Sequence, residues 1–492
     1  MSTVSSPATD HSGGLARRSV TPFEVGAQSV ANIAPSAVIA FGPAQMAASA
    51  GNGAWFSFFI GTVIAMVIAF SIVIFARRRA GVGSLYSLVR PALGPTGSFV
   101  TGWALFLGVI AIAAGSICGA GFFLSTLLGH FGVTAFDGII GQIILDLLLL
   151  AGAIFLTITS VRVSARVSAT LEVISIIVIT VTLVIIFFKS GNVFDAAQFT
   201  LTGSTFGGIV FAVVIAILGF VGFESAASLG AESKDPFRAI PRAVLGSAIL
   251  AGFLYIFATY SQVAQFTGGA AALAKSASPM DDLTSQWGLD FLQPVLDFGF
   301  CASFFAVVVA CITVGARILF GMSNEGILPA WLGHAHPRHK TPSKAIWLVV
   351  PLVAIPAIAV LATGVAPLSA TTYIDTVGVF GYMVSYALVC VGAPLFLKKL
   401  GGRRILLATV MGVIGIASLA YVFYANVFPV PAYPFNTLPY YFLACLVIGI
   451  VGYAILRVRH PEAAQRAGTF ADDAADSDSA DAANSNSNSA SD

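Results

Sequence analysis

The sequence predicts an all-α integral membrane protein of twelve spans, and three observations carry that reading. Of 492 residues, 57% are hydrophobic and only 9% charged, with a mean hydropathy of +0.92. A soluble domain carries about 25% charged residues, so too few polar side chains are present to cover a soluble core. The apolar stretches run about twenty residues, the length of a membrane-crossing helix, rather than the roughly ten alternating residues of a barrel strand. Finally, 22 of the 24 Lys and Arg residues fall on one face when successive loops are assigned to alternate sides.

Taken in order, the chain opens on a polar tail, 1–24, with no apolar h-region, so no cleaved signal is expected. Spans are placed at 25–50, 54–76, 97–128, 137–159, 167–188, 207–231, 241–266, 293–323, 345–363, 373–397, 404–427 and 437–456. A tail at 457–492 closes the chain, and its Ser, Asp, Asn and Ala bias from about Arg466 predicts disorder. With the N-terminus inside, the basic groups at 17–18, 77–90, 162–166, 234–242, 317–344, 398–404 and 457–466 all face the cytoplasm. Only Lys189 and Lys275 fall outside. Dropping any helix before the last would move later basic loops to the wrong face. Both termini are therefore expected in the cytoplasm, with the chain in a plasma membrane such as a bacterial inner membrane.

Several function classes lose support at once. No GxxxxGK[ST] pattern marks an ATP-driven pump, and no nucleophile–base pair or HExxH pattern marks an intramembrane enzyme. The five cysteines lie in apolar stretches away from metal-type partners, so neither a disulfide framework nor a zinc site is expected. The six histidines are read into loops or tails, and "HAHPRH" (334–339) reads as a solvated loop rather than a metal cluster. No cofactor is expected. A net charge of +2 gives no reason to expect nucleic acid; the basic residues serve topology.

Twelve spans without an energy-yielding domain point to a secondary transporter. Such proteins often pair inverted repeats, each with a discontinuous helix in the corresponding place. Spans 1 and 6 both carry interruptions. Span 1 contains "ANIAPSAVIAFGPAQ", where Pro35 removes a backbone donor and disfavours helix just before it. Span 6 contains "ILGFVGFESAASLG", with Gly219 and Gly222 three apart and Glu224 in an otherwise apolar run. Unwound backbone inside a membrane leaves amides that favour a carboxylate and carbonyls that favour an ammonium. The bland alternative is that small residues merely permit close packing; "GSICGAG" (115–121) in span 3 is read that way.

These segments resemble the amino acid–polyamine–organocation permeases. "GFVGFESAASLGAESKDPFRAIPRAV" is similar to that family's span 6–7 signature. "GVGSLYSLVRPALGPTGSFVTGW" (81–103) resembles its loop between spans 2 and 3, and "ARILFGMSNEGILPAWLGHAHPRHKTPSKAI" (316–346) its span 8 end and following loop. The resemblance implies a leucine-transporter-like five-plus-five inverted repeat, with repeats at 25–188 and 207–397 and two further helices at 404–456. It also implies a substrate α-carboxylate at the span 1 break, Pro35, Ser36, Ala37 and Val38. The ammonium would meet carbonyls around Ala34, Leu218 and Val221, in the break bounded by Gly219 and Gly222, with Phe220 as a lid. Here "APSAV" replaces the family's common Gly-Ser-Gly type of break. Gly108 and Ile112 are expected to face the pocket from span 3; with no further acid seen in spans 3, 8 or 10, they favour a neutral, small or apolar amino acid.

Intramembrane acids are read as functional by default. Glu224 is the leading coupling candidate and Glu172 the second. Glu224 is read as starting the second half of span 6. Asp146 fits a hydrogen-bonded packing residue, and Asp297 lies closer to the interface. Ser303 has no oxygen-bearing neighbours at Ala302 and Phe304 for a sodium site, so a proton is the expected coupling partner, in symport or exchange. A polyamine or cationic amino acid carrier stays open, as does a membrane protein that binds an amino acid without moving it.

Overall fold

The computed structural model describes residues 15, 18–191, 193–276, 278–402, 404–428 and 430–470. His11, Arg17, Arg403 and the tail beyond 470 lie outside them. Among the described residues there is no strand, only two isolated bridges, Val20 with Ser233 and Val82 with Leu229. Ten apolar helical stretches are long enough to cross a membrane, the first of them, Pro22–Ala76, containing two of the expected spans.

Helix α1 (Pro22–Ile33) starts where the sequence supplies every N-terminal signal. Pro22 occupies the first helical position, and the Thr21 amide donates to Glu24 (2.7 Å) while the Glu24 amide donates back to the Thr21 hydroxyl. Ala34 then turns left-handed (φ 47°), and α2 (Pro35–Ala50) sets off from Pro35. The body continues through α3 (Ala54–Ala76), α4 (Arg90–His130), α5 (Ile139–Thr159) and α6 (Val161–Ser190). Next come α7 (Phe206–Leu218), α8 (Pro236–Gln265), α9 (Gln293–Asn324), α10 (Ser343–Ala362), α11 (Pro367–Lys399), α12 (Ile405–Ala425) and α13 (Leu438–Arg459).

Helices α4 and α9 form the centre, with 78% and 83% of their apolar windows buried; α12 and α13, at 28% and 17%, lie at the periphery. Helix α11 crosses α4 along a glycine seam. A methyl at Gly381 would lie 2.4 Å from the Ala104 carbonyl oxygen, and one at Gly108 would lie 2.8 Å from the Tyr382 ring. Ser385 donates to the Thr101 carbonyl and Thr371 to that of Gly115, both at 2.9 Å. Close approach of this kind needs small residues, because bilayer lipid offers no hydrophobic drive to press helices together.

Four expectations change. Span 6 does not resume as a second half-helix: α7 stops at Leu218, turns follow, and only a short 3-10 turn, Ser225–Ser228, comes after Glu224. The reason is that several groups of residues 222–226 bond across to other helices rather than up a helical ladder: the Gly222 and Phe223 carbonyls and the Ala226 amide to Asn32 and Ser29 of α1, and the Gly222 amide to Tyr386 of α11. Arg317, counted among the loop charges, is buried in α9, where its guanidinium holds Glu232 at 2.8 and 3.1 Å. His130 is not a loop residue; it ends α4 and meets Asp297 at 2.9 Å. The stretch 457–470, expected as disordered tail, is ordered: α13 runs to Arg459, α14 spans Pro461–Gln465, and 466–470 return to the body. The Ser, Asp, Asn and Ala bias that predicts disorder lies mostly beyond 470, and the small residues Ala464, Ala467 and Gly468 are buried in that seat.

Glu325, just past α9, is that seat. It accepts the Gly468 amide at 3.0 Å, the Phe470 amide at 2.9 Å and the Tyr86 hydroxyl. Burial pushes the Glu325 carboxyl up to about 7, against the donors Tyr86, Phe470 and Gly468 and the nearby Arg90 charge. Tyr453 stands within reach, and Arg459, His460, Glu462 and Arg466 line the adjoining groove. All three hydrogen-bond partners of Glu325 are donors, which the carboxylate accepts. A spin label at Gln465→Cys, with Cys445→Ser, is expected to gain mobility in Glu325→Ala, which leaves the Gly468 and Phe470 amides without their acceptor.

Candidate functional site

The two interruptions meet. Toward the end of α1, Gln28, Ser29 and Asn32 are all buried, and Ser29 and Asn32 reach the span 6 break with their side chains. Ser29 donates to the Phe223 carbonyl (2.8 Å) and accepts the Ala226 amide (3.2 Å). Asn32 donates to the Gly222 carbonyl (3.4 Å), and Ser225 donates to the Gln28 carbonyl (3.0 Å). Gln28 in turn reaches the Ala310 carbonyl of α9, and the Cys311 thiol donates to Asn32. Unwound backbone in a bilayer must find partners inside the protein; here α1 supplies them to the span 6 break.

Gly222 is required twice over. Its φ of +99° is left-handed, and a methyl there would sit 2.7 Å from the Asn32 side-chain nitrogen and 2.8 Å from its carbonyl oxygen. The Gly222 amide donates to the Tyr386 hydroxyl of α11 (3.2 Å), and that hydroxyl donates to Glu224. Glu224 therefore caps no helix; through Tyr386 it fixes the break against α11. Gly219 gives its carbonyl to the Tyr255 hydroxyl of α8 (2.7 Å). The Leu218 carbonyl accepts the Val221 amide. Phe220 is buried edge-to-face on Tyr255, ring centroids 5.3 Å apart.

At the other break, the amides beyond Pro35 are occupied. Ser36 donates to the Glu172 carboxylate of α6 (3.0 Å), Ala37 to the Ser303 hydroxyl of α9 (3.1 Å), and Val38 to the Ala34 carbonyl (3.2 Å). An acid thus sits at the N-terminus of the sixteen-residue α2, where exposed N–H groups and the dipole both favour negative charge. The far oxygen of Glu172 has no hydrogen-bond partner among the described residues, nor does that of Glu224.

The structure brings together Ala34–Val38 side-chain and backbone groups, Glu172 and Ser303 on one side, and 218–224 with Tyr255 and Tyr386 on the other. Gly108 and Ile112 sit apart from this in the α4–α11 seam, against Tyr382 and Gly378. Asp146 is a hydrogen-bonded residue, accepting from Gln142 (2.8 Å). Sequence reasoning passed over Asn32, Ser29, Tyr255 and Tyr386; polar residues at 28, 29 and 32 fall on one face of α1 and were the signal available. It also passed over Asp375. With span 10 drawn from 373, Asp375 stood at the membrane edge, but α11 begins at Pro367 and carries it two turns in. Its carboxylate lies directly on Gly115 of α4, where a methyl would be 2.1 Å from Oδ1, and Oδ1 has no hydrogen-bond partner among the described residues. The expectation that span 10 holds no buried acid is thereby corrected. The glycine stripe of span 3 does more than pack helices: Gly115 seats Asp375, Gly119 seats Phe304 and Gly121 seats Asp146.

Comparison with known proteins matches residues 27–451 to the amino acid permease family model. A branched-chain amino acid permease, BcaP of Bacillus subtilis, is 27% identical over 314 residues, covering 61% of this chain and 66% of the relative, just under two thirds of its length. BcaP of Lactococcus lactis is 28% identical over 337 residues, covering 64% of this chain and 70% of the relative. The low-affinity putrescine importer PlaP of Escherichia coli is 25% identical over 323 residues, 64% of this chain and 66% of the relative.

Tyr386→Phe removes the hydroxyl shared by Glu224 and the Gly222 amide and leaves both buried. The expected cost is about 1–3 kcal/mol, read as a lower apparent unfolding midpoint in detergent, whereas Phe at the exposed Tyr440 should leave the midpoint unchanged.

Proposed function

The chain belongs to the amino acid permease family, and from that premise we propose that it is a secondary transporter moving a neutral L-amino acid by alternating access, coupled to protons or by exchange. The observation that carries this reading is that the last turns of α1, just before the first interruption, bind the second one at Asn32–Gly222 and Ser29–Phe223. A site assembled from two broken helices rebuilds when either one tilts. On this reading the spans number twelve, 25–188 and 207–397 are inverted repeats, and 404–456 adds two helices. The basic end faces the cytoplasm of a cell whose plasma membrane holds the protein.

The substrate carboxylate is assigned to the Ser36 and Ala37 amides, and the ammonium to carbonyls of Ala34, Leu218 and Val221. Glu172 then acquires a coupling role that geometry favours over Glu224. Its carboxylate already occupies the anion position at α2, so substrate and Glu172 compete for the Ser36 amide. A proton on Glu172 neutralises the competitor and lets the substrate carboxylate take its place. Glu224, bound through Tyr386, is a positioning residue for the break. Aliphatic side chains fit an apolar surround, and the BcaP relatives make leucine, isoleucine and valine the first substrates to try.

In proteoliposomes, uptake is expected to follow a pH gradient; uptake that needs sodium and ignores pH would overturn proton coupling. Glu172→Gln should retain substrate exchange yet lose accumulation driven by the pH gradient.

A second reading has one specific observation behind it. Asp375 is an acid in α11 whose Oδ1 has no partner among the described residues, the kind of group that receives a second ammonium, and PlaP is named for putrescine. Ligands stabilise the state they bind. Leucine, isoleucine or valine is expected to raise the unfolding midpoint of the purified protein. A rise with putrescine alone, abolished in Asp375→Asn, would transfer the assignment to a diamine.

A further inference from the structure

The basic end of the bundle carries a peptide-binding seat, occupied by the chain's own residues 461–470. Three side chains from separate parts of the chain read the backbone of this segment, and a fourth supports one of them. Glu325 accepts the Gly468 and Phe470 amides. Arg90 at the start of α4 donates to the Gln465 carbonyl (2.8 Å), and Tyr453 of α13 donates to that of Ala464 (2.8 Å). The Tyr86 hydroxyl steadies the Glu325 carboxylate. Ala464 and Ala467 are completely covered, at 1% and 0% exposure. At Gly468, with φ +79°, a methyl would fall 2.2 Å from the Ser98 hydroxyl oxygen. The ligand this seat takes is thus a peptide with small residues and two amides offered to one carboxylate.

Phe470 extends the contact to the elements that must move. Its ring meets Phe320 of α9 edge-on at 5.9 Å, in a cluster with Leu15, Val82, Ala231 and Ala335. Ala231 follows the span 6 break, and Val82 bridges to Leu229. The same joint holds the Arg317–Glu232 pair and the Val20 amide on the Glu232 carbonyl (2.8 Å). Phe470 therefore closes the meeting point of the segment before α1, the loop after α3, the end of the broken helix and α9.

We propose that 461–470 is a strap that holds the cytoplasmic end shut and leaves its seat for substrate to be released. The proposal rests on the alternating-access reading above. In alternating access the end of the broken helix, 225–233, separates from α9 and α4 at that face. The strap binds the α4 and α9 side through Arg90 and Glu325, and Phe470 packs beside Ala231. Its departure is then part of opening rather than a consequence of it.

Two variants of the full chain test this in nanodiscs and proteoliposomes. In Phe320→Cys/Phe470→Cys with Cys445→Ser, a short reducible bis-thiol reagent locks the strap. Substrate exchange is expected to be lost on locking and restored by reductant; exchange that continues with the lock shown complete by mass would overturn the proposal. Gly468→Val lies outside the spans and ejects the strap by collision with Ser98. Hydrogen–deuterium exchange over 225–233 should then accelerate by about fivefold or more; unchanged protection there would equally sink the strap. That readout needs no substrate. If no amino acid or diamine is exchanged by the unmodified chain, the transport reading fails, while the response of 225–233 still decides the strap.

Discussion

The fold depends on a single constraint: backbone that is not helical cannot stand in hydrocarbon unless the protein itself supplies its partners. Two segments break that way, at Ala34–Pro35 and at 219–224, and the structure solves both together. Ser29 and Asn32 of α1 bind the carbonyls of Phe223 and Gly222, while Tyr255 and Tyr386 reach in from α8 and α11 to Gly219 and Gly222. The arrangement also gathers polar backbone at the level of the breaks, where the proposed substrate site lies.

Around this pair, α4 and α9 act as the fixed frame. The small residues of α4 let side chains from three neighbours rest on its backbone, Asp375 on Gly115, Phe304 on Gly119 and Asp146 on Gly121. What looks like a packing stripe therefore also decides where buried carboxylates can stand. Phe304 in turn stacks on Phe41 of α2, ring centroids 6.3 Å apart, tying the frame to the half of span 1 beyond the break. Glu172 and Ser303 meet the same helix at its first amides. Charge, aromatic packing and backbone discontinuity thus converge on α2, the element best placed to respond when one of them changes.

The basic end is closed by a different set of contacts. Two ion pairs, Arg317–Glu232 and Arg166–Glu24, join α9 to the end of the break and α6 to α1; the first is buried on both sides, while in the second Glu24 is buried and Arg166 exposed. A pair desolvated on both sides, as Arg317–Glu232 is, contributes little net stability but is costly to break singly. The C-terminal segment adds backbone contacts over this joint.

The helical membrane fold and the sites of the two breaks were legible in the residues. Each follows from a local property: apolar length, and a proline or glycine in an apolar run. Glu172 and Glu224 stood out because an acid in such a run is rare. Their partners did not, because Ser36 and Glu172 are far apart in sequence, as are Glu224 and Tyr386, and nothing local joins them. Gly108 was noticed but its neighbour was not, since a glycine seam needs both helices to be seen. The sequence by itself determined which stretches are helical and where they fail. Only the tertiary structure decided that the second half of span 6 does not form, that Asp375 is inside, and that 461–470 returns to Glu325. In each of these cases the deciding energy comes from groups distant in the chain, which satisfy a backbone or a buried charge that local sequence leaves open.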